Sequence, residues 1–135
     1  MDDCELLVPN LGTVSVKWLR HSDRILHGRH FFDENPTCRG ALVAQAKQVA
    51  LRGRVSKIPE NGRQLKGRYA DITELKPSNF RFFGFRDGDT FFITNGARKD
   101  PKRQDRDYDF ALEIRAKYFE RKLQAARLAS PKDKS

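Results

Sequence analysis

The most constraining stretch of this chain is residues 80–97, where Asp87-Gly88 separates two aromatic-rich runs, FRFFGFR before it and TFFITNGA after it. Asp-Gly is the pair that a type I′ turn demands, because both central positions take positive φ. The spacing therefore predicts a tight antiparallel hairpin. A two-residue loop at Asp87-Gly88 sets Arg86 opposite Asp89, Gly84 opposite Phe91, Phe82 opposite Ile93 and Arg81 opposite Thr94. Side chains alternate along a strand, so Arg81, Phe83 and Phe85 share one face while Phe80, Phe82 and Arg86 share the other. Arg81 is thereby placed inside an aromatic sheet, where an unpaired cation is costly to bury. It needs either a carboxylate, Glu74 or Asp71, or a concave functional face.

The rest of the pattern surrounds this hairpin with strands and two helices. Residues 13–19 (TVSVKWL) alternate as a strand does, and residues 69–75 read as another, joined to the hairpin by the turn 76–79. Asn35 or Thr37 can cap a helix that tolerates Pro36 in its first turn. Leu42, Ala46, Val49 and Ala50 then recur at helical spacing until Gly53 stops it. Residues 107–128 form a longer helix, acidic at the start and basic at the end, as the macrodipole prefers. Its apolar arc runs through Ala111, Leu112, Ile114, Tyr118, Phe119, Leu123 and Ala126. Residues 1–12 read as an irregular lead, 57–68 and 98–106 as basic loops, and 130–135 as a flexible tail. The segment 21–38, anchored by Phe31-Phe32, suits a short helix or a long connection. With 135 residues, the chain fits a single α+β domain spanning 1–135.

Charge narrows the function classes. Twenty-seven Lys and Arg against 18 Asp and Glu give a net charge of +9, a field that attracts polyanions. Cys4 and Cys38 make no CxxC spacing, and the amino-terminal MDDCELLVPN has no basic or long apolar run, so a reducing cytoplasmic setting is expected. No stretch approaches the roughly 20 apolar residues of a membrane span. His21, His27 and His30 cluster without a recognised ligand spacing, so no metal or other cofactor is expected. The nucleophile elbow and the glycine-rich phosphate loops are absent from the sequence.

What remains is a basic and aromatic set. Lys57, Lys66 and Arg68 precede the hairpin and Arg81 lies in it; Arg98, Lys99, Lys102 and Arg103 follow it, and Tyr108 begins the last helix. Cleavage of RNA at its own 2′-hydroxyl needs a proton acceptor, cations for the phosphorane and a proton donor for the 5′-oxygen. Arginine suits the phosphate through its bidentate fork, and aromatic rings suit base stacking.

The order LK…YADITELK, FRFFGF, FFITNGARKD and a final alanine-containing helix resembles the RelE/HigB-type toxins, particularly their phage-derived HigB-like branch. The resemblance covers roughly residues 64–119. It implies a RelE/ParE-like fold, with an N-terminal strand and helices on a twisted antiparallel sheet and a long C-terminal helix. It further implies a type II toxin held by a cognate antitoxin, of helix-turn-helix type, and cleaving mRNA on the ribosome without metal. By this resemblance Arg81, Lys99 and Tyr108 are catalytic and Arg98 belongs to the family's basic loop; with Arg98, the basic residues Lys57, Lys66, Arg68, Lys102 and Arg103 are expected to bind RNA. Where some RelE-type toxins carry catalytic lysines, this chain has Ile72 and Glu74, so no general base is carried over. A ParE-like inhibitor of gyrase and a plain RNA-binding module are the alternatives.

Overall fold

The structure, a computed structural model, describes residues 3–54 and 61–129. Its strands are β1 (Cys4–Val8), β2 (Ser15–Leu19), β3 (Gly62–Gln64), β4 (Thr73–Leu75), β5 (Phe80–Asp87) and β6 (Thr90–Arg98). The helices are α1 (His27–Glu34), α2 (Arg39–Arg52) and α3 (Gln104–Ala129), with 3-10 turns at Pro36–Cys38 and Gly67–Tyr69. Among the described residues the six strands form one sheet in the order β1-β2-β6-β5-β4-β3.

Alternation along the central strands splits the core in two. Phe80, Phe82, Phe91 and Ile93 point to the face covered by α1 and α2, where they meet Trp18, Leu42, Ala46 and Val49. Phe83, Phe85 and Phe92 point the other way, onto Tyr108, Ala111 and Ile114 of α3. This is the division of faces expected of Arg81, Phe83 and Phe85 against Phe80 and Phe82. Helix α2 buries Leu42, Ala46, Val49 and Ala50 and ends at Gly53 with φ 79°, as its spacing predicts. The ambiguous segment before it is helical at α1, whose Gly28 lies close against Trp18 and Ile93.

Seven expectations are corrected. The lead contains β1, which pairs antiparallel with β2 at the sheet edge. The loop 57–68 contains β3, paired with β4, and β4 itself is shorter than the expected 69–75 because a 3-10 turn occupies Gly67–Tyr69. The sheet is mixed rather than wholly antiparallel, since β2 runs parallel to β6. The hairpin turns on Gly88-Asp89, because Asp87 pairs with Thr90 and only Gly88 of the two takes positive φ, at 61°. A glycine at the first loop position is the other favoured two-residue turn. The register also shifts between Phe83 and Gly84, leaving Arg81 opposite Ala97 instead of Thr94. Gly84 permits that irregularity, as a Cβ there would lie 2.3 Å from the Phe92 carbonyl oxygen. Finally, Leu123 and Ala126 are exposed, because α3 outruns the sheet: its 26 residues extend about 39 Å, and its contacts with the strands end near Lys122. The tail 130–135 lies outside the described residues.

Candidate functional site

Strands β3 and β4 and the start of α3 converge on one buried carboxylate, Glu74, which is 1% exposed. Register places Arg63 directly opposite Glu74 across β3 and β4, and Phe83 opposite it across β4 and β5. Arg81 is therefore a diagonal neighbour of Glu74 on the same face. Glu74 Oε1 accepts a hydrogen bond from Arg63 Nε at 3.0 Å, and Oε2 accepts one from the Tyr108 hydroxyl at 3.1 Å. Arg81 Nε stands 4.0 Å from Oε2. Two guanidinium groups and a phenol thus compensate one desolvated charge, the condition under which a buried carboxylate persists.

Arg81 is itself enclosed. Its Nη1 donates to the carbonyls of Ser78 at 3.1 Å and Phe80 at 2.7 Å. Those bonds knit the Arg81 side chain to the turn that feeds β5, where Ser78 takes φ 62°. The other candidate partner, Asp71, pairs instead with Arg115 at 3.5 Å.

Beside this cluster opens a cavity of about 450 Å³ lined by Arg63, Gln64, Leu65, Lys66, Tyr69 and Tyr108. Burial pushes the Tyr108 phenol above the usual tyrosine range, opposed by its bond with Arg63 and reinforced by the Glu74 charge. The phenol is consequently a held proton at neutral pH. Arg63 bridges the cluster and the opening: Nη2 donates to the Tyr108 oxygen at 3.3 Å, while 53% of the side chain stays exposed. The ring of Tyr69 stands 5.1 Å from that of Tyr108. Arg68 lies over the Tyr69 ring, 4.6 Å from its centroid, and pairs with Asp109 at 2.7 Å.

The sequence-predicted residues divide between two places. Arg81, Tyr108, Lys66 and Arg68 gather around the carboxylate and its cavity. Arg98 does not join them, because its position opposite Phe80 sends it to the other face of the sheet. There its guanidinium lies 5.4 Å from the Phe80 ring centroid and donates to Asn35 Oδ1 at 3.3 Å. Lys99 is exposed just past β6, its backbone amide bonded to the Asn79 carbonyl. Lys102 and Arg103 are exposed in the following turn, where Arg103 Nε approaches Asp100 at 3.7 Å. Lys57 lies outside the described residues.

Arg63 and Tyr69 were missed as site residues. The alternation of Arg63 with Gln64 carries little signal in a strand of three residues, although a basic residue facing a glutamate across a hairpin is a recognisable stabilising pair. The three histidines each meet a carboxylate, His21 with Glu113, His27 with Asp23 and His30 with Glu34. Among the described residues no group of three or more His, Cys, Asp or Glu is placed to hold a metal ion, and no helix is long and apolar enough to cross a membrane.

No protein-family model matches this chain, and no curated protein matches it. Among solved structures it is similar to the toxin–antitoxin complex RelBE2 from Mycobacterium tuberculosis, at 15% identity, with a TM-score of 0.39, over 67% of this chain and 97% of that one.

Proposed function

We propose that this chain is a toxin of the RelE/HigB type that inhibits translation by cutting ribosome-bound mRNA, and that a cognate antitoxin of helix-turn-helix type restrains it. The order of sequence elements over residues 64–119 supports the family. The observation that carries the chemistry is the Tyr108 hydroxyl, which meets Arg63 and Glu74 and lines an open cavity together with Lys66. In the reaction the 2′-hydroxyl oxygen bonds to phosphorus as the bond to the 5′-oxygen breaks. The 2′ proton leaves to solvent, and the 5′-oxygen takes its proton from Tyr108, whose hydroxyl turns from Glu74 to the leaving oxygen; Arg63 faces the resulting phenolate until solvent returns its proton, and a 2′,3′-cyclic phosphate is left. Arg63 and Lys66 stabilise the phosphorane charge. Arg81 acts through Glu74 as a positioning residue, since it is 8% exposed and its Nη1 and Nε donors face Ser78, Phe80 and the carboxylate. Arg68 serves the bound RNA beside the cavity; Lys99, Arg98, Lys102 and Arg103 serve its flanking backbone.

A second reading, an RNA-binding module without cleavage, is favoured by the mutual engagement of Glu74 and its three donors, which leaves the carboxylate no access to a 2′-hydroxyl. Expression without antitoxin, followed by pulse labelling, separates the readings. Translation should stop first. RNA from arrested ribosomes should carry new 2′,3′-cyclic phosphate ends that form equally in EDTA on ribosomes whose integrity is independently preserved. Tyr108→Phe should slow cleavage by about 10²-fold or more, the usual worth of a positioned proton donor. Arrest of DNA synthesis while protein synthesis continues would instead identify a gyrase inhibitor, and arrest without new ends would identify the binding module.

A further inference from the structure

We infer that the cavity between β3 and α3 is a subsite for one phosphodiester and its neighbouring unpaired base, with Arg63 and Lys66 holding the phosphate and the Arg68–Tyr69 pair stacking the base. This rests on the reading of the chain as an RNA-directed protein. Arg63 spends Nε on Glu74 and one Nη2 proton on Tyr108, at 3.0 and 3.3 Å. A guanidinium carries five N–H donors, so three remain, on the half of the side chain that is exposed toward the opening. Those three include the Nη1 pair and one on Nη2, the outer edge that a phosphate engages in bidentate fashion. The inner bonds fix the plane of the group before any ligand arrives, so little rotamer freedom is lost on binding.

The base position follows from the next element. The 3-10 turn at Gly67–Tyr69 presents Tyr69 on the cavity wall, and Arg68 lies over that ring with Cζ 4.6 Å from its centroid. Asp109 holds both, accepting from Arg68 Nη2 at 2.7 Å and from the Tyr69 hydroxyl at 2.9 Å. The exposed face of the Arg68 guanidinium is then a flat cationic platform of the kind on which splayed bases stack. Lys66, one residue before the turn, lines the cavity between the phosphate position and this platform. A duplex cannot place a base there, so the ligand is single-stranded.

The test is binding of a fluorescein-labelled hexamer of single-stranded RNA to the full chain, followed by anisotropy across a salt series. Arg63→Ala and Lys66→Ala should each weaken binding about ten-fold and each lower the slope of log K against log salt by about 0.7, the worth of one phosphate contact on a single strand. Arg68→Gln in the platform should weaken binding with its slope lowered too. Tyr69→Ala, which removes the support beneath it without removing charge, should weaken binding about ten-fold with the slope unchanged. Lys47→Ala, an exposed charge on α2 across the sheet, is the control for net charge alone. Among the described residues the Lys66 side chain makes no hydrogen bond or ion pair, and its backbone bond to Tyr69 survives truncation, so its variant stays informative even if Arg63→Ala unfolds. If Arg63, Lys66 and Tyr69 variants all bind as the Lys47 variant does, the subsite is refuted, even in a chain that arrests translation. If they lose binding as stated, the subsite stands, even in a chain that never arrests growth.

Discussion

At Arg81 the competing costs can be compared directly. An arginine that is 8% exposed must be compensated, and the compensation is two carbonyl hydrogen bonds plus Glu74. Removing it deletes charge-assisted bonds to both carbonyls and leaves Glu74 with two of its three cationic or phenolic neighbours. Arg81→Ala is expected to cost about 2 to 4 kcal/mol, set by the unsatisfied buried acceptors and the partly uncompensated carboxylate. The melting temperature should fall by roughly 5 to 15 °C for a chain of this length. A thermal melt that stays within two degrees of the parent would instead free Arg81 for direct phosphate contact. The sequence made the face of Arg81 legible, because alternation depends only on the strand. Its choice of Glu74 over Asp71 was not legible, because that depends on the register of β4 against β5, and Asp71 lies before β4 begins.

Between elements, the clearest tie is the one that joins the β5-β6 hairpin to α3. Asp87 accepts hydrogen bonds from Lys122 at 2.7 Å and from the Tyr118 hydroxyl at 2.6 Å, two residues one helical turn apart. The Lys122 bond, with that of Tyr118, holds the Asp87 carboxyl below its ordinary value of 3.8, while burial and the same aspartate push Tyr118 well above the tyrosine range. A carboxyl depressed on folding contributes stability above its unfolded pKa and loses it as pH falls through the folded value. Asp87→Asn should therefore melt a few degrees lower than the parent at pH 7, with the gap closing as both are titrated below about pH 4, where the unfolded aspartate protonates. A gap that is constant from pH 7 to pH 2 would show that charge plays no part. The hairpin, α2 and α3 were all readable from turn chemistry and periodicity. Strands β1 and β3, the two edges of the sheet, were not, because Leu6-Leu7-Val8 breaks strict alternation in β1 and β3 has three residues, too few for alternation to register.

Across the molecule, the sequence conveyed the class, the two helices and, of the six residues lining the cavity, Lys66 and Tyr108, whereas the clustering of Arg63 with Glu74 and Tyr108 came only with the folded sheet. Distances along the chain explain this, since Tyr108 reaches Glu74 only after β5 and β6 have intervened. The parallel pairing of β2 with β6 is the extreme case, joining Ser15 to Thr90 and Trp18 to Ile93. Its consequence is kinetic: a contact that closes most of the chain into a loop forms late, after local structure has lowered the entropy of closure. Refolding followed by pulsed hydrogen exchange should protect the amides of β5 and β6 before those of Val16, Lys17 and Trp18, and the reverse order would contradict it. On an emerging chain, β2 leaves the ribosome long before β6 exists to receive it. Until then β2 has only β1, α1 and α2 as partners, and its other edge stays open.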